Sequence, residues 1–169
     1  MKPATTNRLY KDIKGILEEA RQSAYRAVNF AMVVAYWEIG KRIVEHEQGG
    51  KGKAVYGTGL LKELSEKLTA DFGKGFDASN LRYMRLFYQA FPIRDALRHE
   101  LGWTHYRLLL KLENTDARKY YLEEAIAQNW STRALERQIA SLYYERIVSS
   151  KKKKAVTEEA KEKTEALAA

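Results

Sequence analysis

The sequence contains no cysteine, so disulfide bridges and thiolate metal sites are excluded. No apolar run reaches the length of roughly 18 residues that a membrane-spanning helix needs. Residues 1–6 are not followed by the apolar segment of a secretory signal peptide. These absences are typical of an intracellular protein, and we expect a cytoplasmic location with no membrane partner.

The residue patterns of common active sites are also missing. The chain has 3 histidines, and His99 and His105 are not at the i, i+4 spacing of a helical metal pair. No Gly-x-Ser-x-Gly segment marks a nucleophile. Glu159-Ala160-Lys161 matches the tripeptide of metal-dependent nucleases, but no predicted strand holds it in place. We therefore predict a non-catalytic chain with no metal and no cofactor.

Strand signals are nearly absent, and helical periodicity replaces them. Proline occurs twice, at Pro3 and Pro92, and β-branched residues do not alternate with polar ones. Within residues 5–47, apolar residues step by three or four and form what we call the N-terminal stripe. Its members are Leu9, Ile13, Ile16, Ala20, Ala24, Ala27, Ala31 and Val34. The pattern predicts an all-α fold that begins with either one long helix or a helical hairpin that turns near Gln22.

Two further segments of the chain are expected to form helix-turn-helix units. In residues 58–91, Asp77 is the predicted N-cap of the second helix. In residues 104–148 we expect helices over 104–113, 116–128 and 131–148, the second capped within Asn114-Thr115-Asp116 and the third by Ser131. Leu135, Ile139 and Leu142 are predicted to be the buried stripe of the last helix. We expect one helical domain over residues 1–150, a helical bundle with the long helix packed on it, followed by a charged linker or disordered tail over 151–169.

The charge of the chain favours an anionic partner. The formal net charge is +8 and the sequence pI is about 9.5. Each predicted helix-turn-helix unit carries a pair of arginines on its second helix, although charged helix faces often do no more than contact water. The candidate nucleic-acid contacts are Arg133 and Arg137 at the groove, Arg82, Arg85, Lys51 and Lys53 at phosphates, and Thr132 and Asn80 at bases or backbone.

Four segments of the sequence resemble a known family. They are the segments Tyr-Trp-Glu-Ile-Gly-Lys-Arg-Ile at 36–43, Asn-Leu-Arg-Tyr-Met-Arg-Leu-Phe-Tyr at 80–88, Trp-Thr-His-Tyr-Arg-Leu-Leu at 103–109, and Trp-Ser-Thr-Arg-Ala-Leu-Glu-Arg-Gln-Ile at 130–139. The four segments occur in the same order as in the N-terminal helical domain of YhcG-like bacterial proteins, which this sequence resembles over about residues 8–150. In that family the helical region precedes a PD-(D/E)xK-type nuclease domain, for which this sequence offers no matching positions. The resemblance implies a role associated with DNA.

Three functions remain open from the sequence. The first is a DNA-binding module that positions or regulates a nuclease domain absent from this chain. The second is an assembly module, without direct nucleic-acid contact, that forms homo-oligomers, such as dimers, through the N-terminal stripe and exposed Tyr83 and Leu86. The third is an antitoxin-like module that binds another protein through its basic surface.

Overall fold

The computed structural model describes residues 3–49, 56–150 and 153–168, which form eight α-helices and no strand. The predicted all-α class is confirmed. The helices are α1 (Pro3–Gly49), α2 (Tyr56–Phe72), α3 (Ala78–Ala90), α4 (Trp103–Leu110), α5 (Thr115–Ala127), α6 (Thr132–Ala140), α7 (Tyr143–Ser149) and α8 (Lys153–Ala168), with a single 3-10 turn at Arg94–Ala96. None of these described helices has the length and apolar character needed to cross a membrane.

Three predicted helix starts are confirmed by the side chains that cap them. Asp77 Oδ1 accepts a hydrogen bond from the Asn80 amide at 3.0 Å, at the start of α3. Asn114 accepts from two amides at the start of α5, and Ser131 Oγ accepts from the Ala134 amide at 3.2 Å, at the start of α6. Each cap satisfies amide donors that the first helical turn leaves without a partner.

The long N-terminal segment is one continuous helix, so the hairpin alternative is wrong. The half of α1 that follows Phe30 packs along α3, with Val33 and Trp37 buried. The Trp37 indole donates to the Phe91 carbonyl at 2.6 Å, where α3 ends. The crossing is close because Gly40 has no side chain: a Cβ there would lie 2.0 Å from the Met84 carbonyl oxygen. Residues 6–28 of the same helix are all exposed.

An aromatic cluster joins α3 and α4 at the centre of the bundle. The rings of Phe87 and Tyr106, both fully buried, are 4.6 Å apart between centroids. Trp103 lies 5.3 Å from the Phe87 ring, and the Tyr106 hydroxyl accepts from the Arg98 amide at 2.9 Å. Since each ring buries a large apolar area and the Tyr106 hydroxyl has its partner, the cluster fixes α4 against α3.

The helix predicted over residues 131–148 is instead two helices, α6 and α7. Leu142 between them adopts a left-handed conformation with φ of 54°, and its side chain is 56% exposed rather than buried. The break changes which side chains face the core, so that Tyr143 is buried instead and packs against the Trp130 ring. Tyr121 supports α7 by accepting a hydrogen bond at its hydroxyl from the Tyr144 amide at 3.0 Å. Tertiary packing of tyrosines therefore overrides the simple helical period.

The segment expected to be a linker or disordered tail contains α8, and α8 packs on the bundle. Ala160 is 5% exposed. The Gln138 amide of α6 donates to the Ala160 carbonyl at 3.3 Å and to the Thr164 hydroxyl at 2.6 Å. Arg146 of α7 pairs with Glu159 at 2.6 Å. These contacts correct the expectation of a linker or disordered tail. Ala160 and a few polar side chains give α8 a face that packs on α6 and α7.

Candidate nucleic-acid interface

The three candidate contacts on α6 differ in how available they are. Arg133 is exposed, and no described residue pairs with its guanidinium. Arg137 is exposed but donates to the Lys163 carbonyl of α8 at 3.3 Å. Thr132 is half-buried at the start of the helix. Because α8 lies against α6, Arg133 is the α6 cation that remains free to contact a partner.

Asn80 is buried and has a structural role, so it is not available to a nucleic acid. Its side-chain oxygen accepts from the Trp103 indole at 3.0 Å, and its amide nitrogen donates to the Gly75 carbonyl. The residue is 7% exposed. Asn80 therefore joins the turn before α3 to the first residue of α4, and both ends of its side-chain amide already have partners within the protein. Its polar character gave no sign of this, since the partners come from distant parts of the chain.

The two arginines predicted on α3 have different surroundings. Arg85 pairs with Glu47 of α1 at 2.6 Å, and Glu47 is the more buried partner at 19% exposure. This pair joins α1 to α3 and occupies the guanidinium. Arg82 is exposed, and no described carboxylate pairs with it. Lys51 and Lys53, the other predicted phosphate contacts, lie outside the described residues.

The structure adds Arg107, which the sequence reasoning did not select. The Arg107 guanidinium of α4 lies over the Tyr83 ring of α3, with its carbon 4.7 Å from the ring centroid. Its Nε is buried, and no described residue accepts a hydrogen bond from it or forms an ion pair with the side chain. A stacked guanidinium keeps its planar edge for a phosphate or carboxylate oxygen. The signal was present in the resemblance segment at 103–109, which contains Arg107.

Arg82, Tyr83 and Arg107 therefore form one candidate interface, which we call the α3–α4 surface. Arg82 and Tyr83 are adjacent in α3, and Tyr83 contacts Arg107 directly. The Arg107 guanidinium stacked on Tyr83 can bind phosphate oxygens, and Arg82 adds an exposed cation about 100° further round α3. Within the described residues there is no group of three or more His, Cys, Asp or Glu side chains placed to hold a metal ion.

His105 fixes the helix that carries Arg107. Its Nδ1 accepts from the Gly102 amide at 3.2 Å, and its Nε2 lies 2.9 Å from the Trp130 carbonyl. A carbonyl can only accept, so the proton of the neutral ring is on Nε2. Burial lowers the pKa of His105, while the hydrogen bond to Trp130 acts in the opposite direction. The neutral ring thus joins the start of α4 to the turn between α5 and α6.

Comparisons with known proteins identify a family and a curated relative of this chain. A model of the DUF1016 N-terminal domain family matches residues 12–146. The Escherichia coli (strain K12) protein named "Putative nuclease YhcG" is 37% identical over 183 aligned residues, which cover 89% of this chain and 49% of the relative. The chain therefore spans about half the length of the curated relative it matches. No solved structure matches. The resemblance predicted from the four sequence segments is confirmed.

Proposed function

The chain belongs to the DUF1016 N-terminal domain family, and from this premise we propose that it is a non-catalytic DNA-binding module. It would position or regulate a nuclease domain carried by longer relatives. The relative named as a nuclease is about twice as long as the part that this chain matches. Nuclease chemistry is therefore assigned to residues outside the present chain, and DNA contact to the surface of the helical bundle.

One observation carries this proposal: the Arg107 guanidinium stacks on Tyr83 with no carboxylate partner among the described residues. A half-buried cation usually has a hydrogen-bond acceptor, because losing water without gaining a partner costs free energy. Bound phosphate would supply a counter-charge to the guanidinium, while the buried Nε itself is closed to it. Arg82, next to Tyr83 in the sequence, adds an exposed cation with no described ion-pair partner, and the net charge of +8 supports attraction of a polyanion.

The test is fluorescence anisotropy with labelled duplex DNA, single-stranded DNA and RNA over a range of salt concentrations. We expect duplex binding that weakens as salt rises. The double variant Arg82→Ala, Arg107→Ala should raise the Kd at least about tenfold, since hydrogen bonds to charged groups contribute about 1.5–3 kcal/mol each. It should also lower the slope of log K against log salt by about 2.

A charge-matched control separates this surface from the overall charge. Lys62→Ala with Lys67→Ala also removes two positive charges, from exposed positions on α2, and should change the Kd far less. Arg107→Lys keeps the charge but loses the planar stack on Tyr83, so it should bind more weakly than the unmodified chain. A third double variant, Arg133→Ala with Arg137→Ala, measures the contribution of α6.

Two results would contradict the proposal. One is the absence of salt-dependent binding to duplex DNA by the unmodified chain. The other is an Arg82→Ala, Arg107→Ala variant that binds as tightly as the Lys62→Ala, Lys67→Ala control. If only the α6 variant loses affinity, the module binds DNA but the α3–α4 surface is not the interface.

A further inference from the structure

Helix α8 is attached to the bundle through a small and mostly polar contact. Of its side chains at positions 157–166, Ala160 is buried, Glu159 and Thr164 are half-buried, and the others are exposed. Burying one methyl group contributes little hydrophobic free energy, and an isolated helix of 16 residues is only marginally stable in water. Over these positions, attachment depends on hydrogen bonds and an ion pair, which exchange with water at a small net cost.

The bundle donates hydrogen bonds to α8 from three side chains that lie in a row. They are Arg137 and Gln138 of α6 and Arg146 of α7, which we call the α6–α7 row. Their acceptors on α8 are, in that order, the Lys163 carbonyl at 3.3 Å, the Ala160 carbonyl at 3.3 Å with the Thr164 hydroxyl at 2.6 Å, and the Glu159 carboxylate at 2.6 Å. These acceptors span about 7.5 Å of the α8 axis. In this row the bundle supplies the donors and α8 supplies the acceptors.

The α6–α7 row has the chemistry and length of a phosphate-binding site. Guanidinium and amide groups are common donors to DNA phosphates, whose oxygens accept. One strand of duplex DNA presents a phosphate about every 3.4 Å of its axis, so the row spans roughly two of them. Arg133 is exposed and precedes Arg137 by four residues, on the same side of α6. A DNA strand can therefore contact Arg133 while α8 is still in place.

The charges on α6 and α7 leave this surface positive once α8 is removed. The two helices carry three arginines and two glutamates, Glu136 and Glu145. Glu136 lies about 100° from Arg137 around the helix axis, and Glu145 accepts from the Tyr121 hydroxyl at 3.3 Å. Helix α8 contains four lysines and four glutamates, so its own formal charge is zero. Its effect on the row is local, because it places Glu159 against Arg146.

We propose that α8 is a displaceable cover over the α6–α7 row and that DNA phosphates replace it there. Docked α8 satisfies the three donors. After its release, the same donors contact phosphate oxygens together with Arg133. The inference rests on the proposed function and deepens it, since it adds to the α3–α4 surface a second DNA contact that is closed in the free protein. Docking of α8 lowers the apparent affinity for DNA by the fraction of chains in which the row is covered.

The first test loosens α8 without changing the charge of the chain. Ala160→Gln places a longer side chain at a position that is 5% exposed, so α8 should dock less often. The matched control, Ala166→Gln, makes the same change at an exposed position of the same helix. In fluorescence anisotropy, Ala160→Gln should bind labelled duplex DNA at least about fivefold more tightly than the control, because more chains have an open row. Circular dichroism checks that both variants are folded.

A second pair of variants loosens α8 through its ion pair and does not alter the buried contact. Glu159→Gln removes the carboxylate that pairs with Arg146 at 2.6 Å. Glu162→Gln, at an exposed position of α8, changes the net charge by the same amount. The difference in Kd between the two variants therefore reports the ion pair and not the overall charge. Glu159→Gln should bind duplex DNA more tightly than Glu162→Gln.

The donors of the row are tested in the loosened background. Adding Arg137→Ala and Arg146→Ala to Ala160→Gln should raise the Kd at least about tenfold, because hydrogen bonds to charged groups are lost. The same two changes in the unmodified chain should have a smaller effect, since α8 already occupies both guanidinium groups. An equal effect in the two backgrounds would mean that α8 does not compete with DNA for these donors.

Hydrogen exchange followed by mass spectrometry detects the release of α8 directly. The amides of residues 157–166 should exchange faster when the unmodified chain is saturated with duplex DNA, because a released helix of this length unfolds readily. The amides of the buried helix α3 serve as the control and should exchange no faster. Unchanged exchange of the α8 amides in the DNA complex would overturn the cover.

The failure of this inference can be distinguished from the failure of the proposed function. If Ala160→Gln binds DNA as Ala166→Gln does, while Arg82→Ala with Arg107→Ala weakens binding, the cover is wrong and the proposed function stands. If no variant binds duplex DNA, both are wrong. Binding that appears only when α8 is loosened would support the cover and assign the interface to the α6–α7 row instead of the α3–α4 surface.

Discussion

Replacing Gly40 by alanine should destabilise the fold, although alanine is the better helix former. A Cβ at this position would lie 2.0 Å from the Met84 carbonyl oxygen and 2.7 Å from its carbonyl carbon. Real Cβ contacts essentially never fall below 3.0 Å, so α1 and α3 must separate by about 1 Å. Both atoms belong to backbone, so a side-chain rotation cannot relieve the contact.

The expected loss of folding stability in the Gly40→Ala variant is the sum of two opposing contributions. Separating the helices disturbs the packing of Leu81 and Met84, which are both fully buried, and overpacking of this kind costs about 3 kcal/mol. Alanine returns about 1 kcal/mol through helix propensity. The net loss of about 2 kcal/mol corresponds to a fall in Tm of roughly 4–8 °C for a domain of this size.

Thermal unfolding followed by circular dichroism measures this effect. The matched control is Gly15→Ala, the same change in the same helix, where nothing lies within 4 Å of the added Cβ. The control should leave the Tm unchanged or raise it slightly. A Gly40→Ala variant with the Tm of the control would refute the close crossing of α1 and α3 and the packing argument built on it.

Two further predictions concern the half-buried His105 and the strained turn at Leu142. Because the folded pKa of His105 is lowered, the unfolded chain binds more protons below pH 6.5. The contribution of His105 to the free energy of unfolding should therefore be complete above pH 6.5. As the pH drops below 6.5, the free energy of unfolding should fall by at most about 1.4 kcal/mol per pH unit. In urea titrations, His105→Gln should lose this dependence, and a variant that keeps it would assign the effect to another group. Leu142→Gly should raise the urea midpoint, because the left-handed φ of 54° costs a leucine roughly 1 kcal/mol and the 56% exposed side chain contributes little burial. A lower midpoint would mean that Leu142 packs more strongly than its exposure indicates.

Local signals were enough for most of the helices. Helix periodicity, the near absence of strand patterns and the capping residues Asp77, Asn114 and Ser131 act within a few residues of the chain. The all-α class and three helix starts could therefore be predicted. The family could also be recognised, since short motifs in a fixed order do not depend on the fold being known.

The position of an arginine in the sequence does not show whether its guanidinium has an ion-pair partner in the folded protein. Arg82 and Arg85 are three residues apart on the same helix, yet Arg85 pairs with Glu47 of α1 and Arg82 has no described ion-pair partner. Arg107 was missed because its partner, Tyr83, is on another helix. Availability of a charged group depends on neighbours that are distant in sequence, and periodicity carries no information about them.

The amino-acid sequence by itself determined where helices form and that α1 carries an apolar stripe, because both depend on residues three or four apart. Tertiary structure alone decided that α1 runs unbroken, that α6 and α7 separate at Leu142, and that α8 packs on the bundle. It also decided that the stripe is exposed from Leu9 to Ala31, whereas its last member, Val34, packs against the core. These outcomes depend on which helix surfaces can bury one another, and this is decided by contacts between residues that are distant in the sequence.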